Sequence, residues 1–256
     1  MTDRLFDLSG SVALVTGGSR GLGRQMVLGF AERGADVIVV SRKQDACEKV
    51  AAEAEAAFGV RAWALAANVS HWDQCDDLVK RAYAAAGHVD VLVNNAGLSP
   101  LYPSLEDVSE ALYDKVFAVN LKGPFRLGSL VGARMAAAGS GCIINISSVE
   151  SAIPSPTALP YAAAKSGLET LTRGLARAYA PAVRVNTITA GPFLTDISDA
   201  WDMDAVQAGL QRSMALQRAG RPEEIVGAAV YLASPSASFT TGATVRVDGG
   251  TYGSLF

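Results

Sequence analysis

Histidine is nearly absent from this chain. Only His71 and His88 occur in 256 residues, which leaves little from which to build a Ser-His-Asp triad or a histidine metal centre. Cysteine is scarce as well. Cys47, Cys75 and Cys142 stand far apart with no CxxC, so neither a disulfide framework nor a metal site is expected, and the thiols read as small apolar residues. An excess of one charge is also missing: the net charge is −3 with acids and bases interspersed, which gives no footprint for nucleic acid or an anionic membrane. No apolar run reaches the roughly 18 residues of a membrane span, and the opening MTDRLFDLSG carries acids where a secretory signal would be apolar. A cytoplasmic protein is the expectation. Linkers are lacking too, with no Pro/Gly/Ser tract, repeat or charge block, while half of the residues are apolar. Residues 1–256 are therefore expected to form a single domain around one large core.

What the chain does have is a glycine-broken apolar run near its start. Val12-Ala13-Leu14-Val15-Thr16 leads into Gly17-Gly18-Ser19-Arg20-Gly21-Leu22-Gly23, after which helical spacing continues to Arg33. A buried strand feeds a glycine turn that feeds a helix. Such a turn presents unpartnered backbone N–H groups and the positive end of the helix dipole, so a phosphate or pyrophosphate is its natural occupant. Gly17 to Gly21 also fits GxSxG, the nucleophile elbow of a hydrolase. That reading fails because the elbow needs a later acid and a histidine, it falls on the first strand, and the pattern runs on into Gly23, which a nucleophile does not require.

Along the rest of the chain strands alternate with helices. Strands are expected at 36–40, 61–66, 89–93, 142–146, 183–188 and 243–247, and helices at 44–58, 71–86, 109–138, 158–179, near 200–216 and at 222–233. This alternation predicts an α/β fold: a single doubly wound parallel sheet, Rossmann-type, with helices on both faces. Ligands of such sheets bind beyond the carboxyl ends of the strands. Those ends read Gly17 to Gly23, Ser41-Arg42-Lys43, Asn68-Val69, Asn94-Asn95-Ala96-Gly97, Ser147-Ser148 and Ala190-Gly191-Pro192. Polar and glycine-rich ends repeated along one edge point to a shared ligand.

Tyr161 and Lys165 lie four apart on a predicted helix and share a face. An ammonium beside a phenol favours the phenolate and brings a group that titrates near ~10 towards a useful range, giving an acid/base without histidine or metal. Together with TGxxxGxG at 16–23, Asn-Asn-Ala-Gly at 94–97, Asn120 in Val119-Asn120-Leu121-Lys122-Gly123, and Ser148, the YxxxK pair makes the chain resemble the short-chain dehydrogenase/reductase family. The resemblance runs from about Ser9 to Val247-Asp248-Gly249-Gly250. It implies an oxidoreductase in which Tyr161 exchanges a proton with the substrate oxygen while hydride passes to or from a nicotinamide. It further implies that Lys165 lowers the Tyr161 pKa and holds the ribose, that Ser148 binds the substrate oxygen with Ser147 its nearest competitor, and that Asn120 positions a water linking Lys165 to solvent. The implied cofactor contacts are Gly17, Ser19, Arg20, Gly21, Leu22, Ser41, Arg42, Asn68, Val69, Asn95, Ala96, Gly97, Tyr161, Lys165, Gly191 and Thr195. Two positions depart from the family pattern. Asn68 stands where an aspartate usually accepts from adenine, and Ala190 replaces a proline, which leaves the 190–195 loop less rigid.

The end of the second strand argues for NADP(H) over NAD(H). Where an NAD site places an acid on the ribose 2′-hydroxyl, this chain has Ser41 followed by Arg42 and Lys43. Asp36 lies at the opposite end of that strand. A 2′-phosphate held by Ser41, Arg42 and Arg20 accounts for two cations at a helix start. The candidate substrate contacts are Glu150, which reads equally as an acceptor for a polyhydroxy substrate and as a solvated loop residue, and Phe193 and Trp201, which read as lid packing ahead of specific recognition; the expected substrate is a small carbonyl compound or alcohol of the ketone, sugar or polyol type. The alternatives are a 3-oxoacyl-(acyl carrier protein) reductase and a non-catalytic cofactor sensor. The first is disfavoured by the uncharged stretch after Arg134, the second by the presence of Ser148, Tyr161 and Lys165 together. A homo-oligomer, tetramer or dimer, is implied by the resemblance.

Overall fold

A computed structural model describes residues 5–195, 209–212 and 214–251. Its strands are β1 (Val12–Thr16), β2 (Asp36–Ser41), β3 (Ala62–Ala66), β4 (Val91–Asn94), β5 (Gly141–Ser148), β6 (Val183–Ala190) and β7 (Thr244–Val247). The helices between them that concern the site are α1 (Gly21–Glu32), α2 (Gln44–Phe58), α3 (Trp72–Ala86), α4 (Glu110–Phe117), α5 (Gly123–Ala138), α6 (Leu159–Ala178) and α7 (Val226–Ala233). The strands form one seven-stranded sheet in the order β3-β2-β1-β4-β5-β6-β7. Every pair is parallel, and the winding reverses between β1 and β4, which opens a crevice at that point.

Alternation along the central strands divides the core into two layers. Ala13 and Val15 of β1 pack with Met26 and Phe30 of α1, Cys47 and Val50 of α2, and Ala229 of α7. Val12 and Leu14 face the other way, onto Leu78 of α3, Leu127 and Val131 of α5, and Leu175 of α6. This is the doubly wound α/β architecture expected from the sequence. No helix among the described residues is long and apolar enough to cross a membrane.

Some boundaries differ from expectation. β5 and β6 each run two residues further, so Ser148 and Ala190 end strands instead of following them. The region expected as one helix over 109–138 contains a π-helical turn, Ala118–Lys122, between α4 and α5. Most of the helix expected near 200–216 lies outside the described residues, as does Trp201.

Close approach of α1 to β1 depends on Gly23. A Cβ at this position would collide with the Gly17 carbonyl oxygen and lie 2.5 Å from Asn95 Nδ2, both of them held by neighbouring structure. Gly23→Ala should therefore destabilise the fold by about 1–3 kcal/mol through forced separation of helix and strand. Urea titration checks this, and a loss under about 0.5 kcal/mol would show that the helix shifts freely.

Candidate active site

The turn from β1 to α1 is as tight as the sequence requires. Gly17 adopts φ 66°, a left-handed conformation that penalises any side chain, and a Cβ there would lie 2.8 Å from Asn95 Nδ2. Thr16 latches this turn to the next one: its Oγ1 donates to Val93 O at 3.1 Å and accepts from Asn95 N and Ala96 N at 3.0 and 3.1 Å. Asn95 Nδ2 returns a bond to Thr16 O at 2.9 Å. At the start of α1 no side chain caps the helix and no acid occupies its first turn, so the N–H groups of Gly21, Leu22 and Gly23 keep their affinity for an anion. Ser19 and Leu22 are half-buried beside them. Thr195 faces this turn, its Cγ2 3.4 Å from where a Gly21 Cβ would be.

At the end of β2 the side chains of Arg42 and Lys43 are exposed, as is Arg20 on the glycine turn. None of the three makes an ion pair with a described residue. Ser41 makes local contacts. Its Oγ lies 3.0 Å from Cys47 Sγ and 3.3 Å from Lys43 O, turned towards its own helix. Asn68 is also committed locally: Oδ1 accepts from Ser70 N and Oγ at 3.2 and 2.9 Å. Val69 beside it is buried. Gly191 closes the edge near β7, where a Cβ would lie 2.7 Å from Asp248 Cα.

Ser148, Tyr161 and Lys165 meet at the ends of β5 and α6. The Ser148 hydroxyl favours the charged form of the Tyr161 phenol, and Lys165 Nζ lies 5.5 Å from the Tyr161 ring centroid. Ser147 points elsewhere, donating to Glu169 Oε1 at 2.9 Å. Lys165 is 3 % exposed. Its ammonium donates to Ile146 O at 2.8 Å, and its other two protons have no partner among the described residues. A buried cation with free donors fits a polar ligand that brings acceptors. The place for one adjoins Gly97, whose Cβ position is 3.8 Å from Lys165 Nζ and 3.3 Å from Asn120 Oδ1.

The electrostatics depart from the simple picture of a lysine lowering a tyrosine. Burial pushes the Tyr161 phenol up to about 12; the Ser148 hydroxyl works against this and the Glu150 charge adds to it. Burial pushes Lys165 down to about 8. Each group is thus held towards its neutral form. Asn120 is held on every side: its Nδ2 donates to Leu98 O and Val116 O at 2.8 and 2.9 Å, and Oδ1 accepts from Leu98 N at 3.2 Å. Both amide protons are engaged, so the side chain braces the loop after β4 and would meet a water only as an acceptor.

Of the expected substrate contacts, Glu150 is neither free nor simply solvated. Its Oε2 accepts from Ser155 N at 2.6 Å, closing the turn beyond Ser148. Phe193 is 8 % exposed and belongs to the α1 side of the core, a packing residue at the loop's root. Tyr102 was missed. Its hydroxyl donates to Pro156 O at 2.9 Å and accepts from Leu159 N at 2.8 Å, supplying the cap that Ala158 cannot give α6. A tyrosine in an irregular loop carries no pattern that would have marked it.

Residues 17–252 match the family model described as Enoyl-(Acyl carrier protein) reductase. The chain belongs to the short-chain dehydrogenase/reductase family. It is 35% identical over 248 residues to gluconate 5-dehydrogenase of Gluconobacter oxydans, covering 96% of each chain. To a 3-oxoacyl-[acyl-carrier-protein] reductase of Staphylococcus epidermidis it is 37% identical over 242 residues, 94% of this chain and 98% of that one. Among solved structures it is similar to a gluconate 5-dehydrogenase from Burkholderia cenocepacia in complex with NADP and tartrate, with TM-score 0.94, 33% identity, and 98% and 99% of the two chains covered. Like other members of this family, the chain is an NAD(P)-dependent enzyme acting on alcohols and ketones.

Because the Glu150 charge raises Tyr161, Glu150→Gln should move the Tyr161 titration to lower pH while its amide oxygen keeps the Ser155 bond. The alkaline fall in the rate of carbonyl reduction, where the phenol is lost, then begins at lower pH. A pH–rate profile that is unmoved, or moved upward, would contradict this sign.

Proposed function

We propose that the enzyme interconverts a carbonyl and a secondary alcohol in a small substrate of the ketone, sugar or polyol type, with NADP(H) preferred to NAD(H). The observation that carries this reading is the meeting of Ser148, Tyr161 and Lys165 around one open point of the sheet edge. When bound, the nicotinamide supplies or takes the hydride. Tyr161 gives its proton to the substrate oxygen in reduction and accepts it in oxidation. Ser148 donates to the same oxygen, where charge develops. The two free protons of Lys165 hold the ribose hydroxyls, and these acceptors favour the charged form that burial opposes. Asn120 braces this cluster from behind.

For the rest of the cofactor, the uncapped N–H groups of Gly21 and Leu22 hold the pyrophosphate, with Gly17 and Ser19 shaping the turn. Asn68 and Val69 adjoin the adenine. Asn95, Ala96, Gly97, Gly191 and Thr195 line the side towards the nicotinamide. The unpaired Arg42, with Arg20 and Lys43, supplies the charge for a 2′-phosphate, and the Ser41 hydroxyl must rotate away from Cys47 to join them. NADP in the Burkholderia cenocepacia structure supports this reading.

A second reading, reduction of a 3-oxoacyl group on an acyl carrier protein, is favoured by the relative from Staphylococcus epidermidis. Against it, the Arg134 guanidinium lies 4.4 Å over the Tyr83 ring, and the residues after it are uncharged, which leaves an acidic carrier little to dock on there. We also infer a cytoplasmic, single-domain enzyme working as a dimer or tetramer. The exposed aromatics Trp72, Tyr113 and Phe125 on α3, α4 and α5 support self-association.

Tyr161→Phe should abolish turnover and leave NADPH affinity within about threefold, since only the proton donor is removed; turnover within a few fold of the parent would sink the mechanism. Removing Arg42 as Arg42→Ala should weaken NADPH binding by about 10- to 100-fold and leave NADH unchanged, the loss of a charge-assisted bond. Fluorescence titration decides, and a parent enzyme that binds NADH as tightly as NADPH would overturn the preference.

A further inference from the structure

Glu169 lies on α6 one turn beyond Lys165 and two beyond Tyr161. Three hydroxyls converge on its Oε1: Ser147 Oγ at 2.9 Å, Ser151 Oγ at 2.6 Å and Thr189 Oγ1 at 3.2 Å. They come from the end of β5, the turn after it and the end of β6. No described cation pairs with this carboxylate, so hydroxyl donors alone offset the cost of its partial burial.

The donors bracket one residue. Ser147 immediately precedes Ser148, and Ser151 follows it by three positions. Ser166, also on α6, donates from its Oγ to Ser151 O at 2.7 Å. The backbone carrying Ser148 is therefore tied, on both sides, to the helix that carries Tyr161 and Lys165. Ser148 itself is held only loosely by its own neighbours, its Oγ accepting from Glu150 N at 3.3 Å. Its placement against the Tyr161 hydroxyl is set by what holds Ser147 and Ser151.

We infer that Glu169 is a positioning residue for Ser148: by gathering the Ser147, Ser151 and Thr189 hydroxyls on one oxygen, it fixes the placement of the Ser148 hydroxyl relative to Tyr161. A carboxylate suits this because it only accepts, with lone pairs enough for several donors. The amide oxygen of glutamine preserves much of that capacity, and leucine removes all of it. The inference rests on the roles proposed for Ser148 and Tyr161, but the influence of the Ser148 hydroxyl on the Tyr161 ring is readable without turnover.

The experiment compares Glu169→Gln, Glu169→Leu and the double variant Ser147→Ala/Ser151→Ala, which removes two donors and keeps the carboxylate. In protein labelled with 13Cζ-tyrosine, the Tyr161 resonance is assigned with Tyr161→Phe, and Ser148→Ala marks its position without the Ser148 hydroxyl. Glu169→Leu and the double variant should move the resonance towards that position, and Glu169→Gln should leave it near the parent's. With a carbonyl substrate that the parent reduces, the first two should lose about 10- to 100-fold in kcat, the scale expected for a displaced catalytic group. Glu169→Gln should stay within about threefold of the parent, and NADPH affinity should be unchanged throughout. An unmoved resonance and intact kcat in folded Glu169→Leu overturn the inference. If that variant does not fold, the same result in the double variant overturns it. A parent that reduces no carbonyl compound with either cofactor refutes the proposed function instead, and the resonance still decides the role of Glu169.

Discussion

Parallel pairing of all seven strands is the constraint from which the site follows. Each strand must be reached by a crossover, so every carboxyl end faces the same way. Gly17, Ser41, Asn95, Ser148 and Gly191, scattered over most of the sequence, come to lie along one edge because each ends or follows a strand. The reversal of winding between β1 and β4 parts the crossovers on either side of that junction. There the Thr16 hydroxyl, bonded to Val93 O and to the N–H groups of Asn95 and Ala96, keeps the two turns in fixed relation. An anion at the α1 terminus and a reacting group near Gly97 would thus be held by one connected piece of backbone.

Within this frame, burial governs the titratable pair. A lysine at 3 % exposure loses hydration that a single carbonyl bond cannot replace, and its pKa falls to about 8. Tyr161 is pushed the opposite way for the same reason, since burial disfavours its charged form too. The sequence argument that an ammonium lowers a phenol left out burial, the Ser148 hydroxyl and the Glu150 charge, the influences that set the direction of the Tyr161 shift. Spacing along a helix reveals that two side chains are neighbours, but not how much water the rest of the chain has removed from them.

Fold class and the order of strands and helices were legible in the sequence because hydrophobic periodicity and glycine turns are local signals. Ser148, Tyr161 and Lys165 were legible through spacing. The π-helical turn around Asn120 was not, because it lies between two helical stretches with no glycine or proline inside it and preserves the general appearance of a continuous helix. Glu169 escaped for another reason. In Leu168-Glu169-Thr170 it looks like any solvated helix position, and its three partners lie on β5, β6 and the intervening turn. Ser41 and Asn68 were placed correctly on the edge, yet their side chains found Cys47 and Ser70 first, a local competition typical of short polar residues.

A buried polar chain beneath the site explains how strands so rich in valine and isoleucine keep their register. Asn94 of β4 stands opposite Asn145 of β5 and donates to its Oδ1 at 2.9 Å. Asn145 Nδ2 donates to Thr172 Oγ1 of α6 at 2.8 Å, and Thr187 of β6, paired with Asn145, donates to the same hydroxyl at 2.8 Å. Apolar contacts between such strands tolerate exchange among similar side chains, whereas a buried amide displaced from its partner costs about 1–3 kcal/mol. Any slip of β5 against β4 or β6 would break several of these bonds at once. A slip of one residue would also reverse the faces of the strand, sending Ser147 towards Tyr161 and Ser148 towards Glu169. Two adjacent serines with opposite tasks therefore depend on an amide pair three positions upstream, in a part of the molecule that touches no ligand.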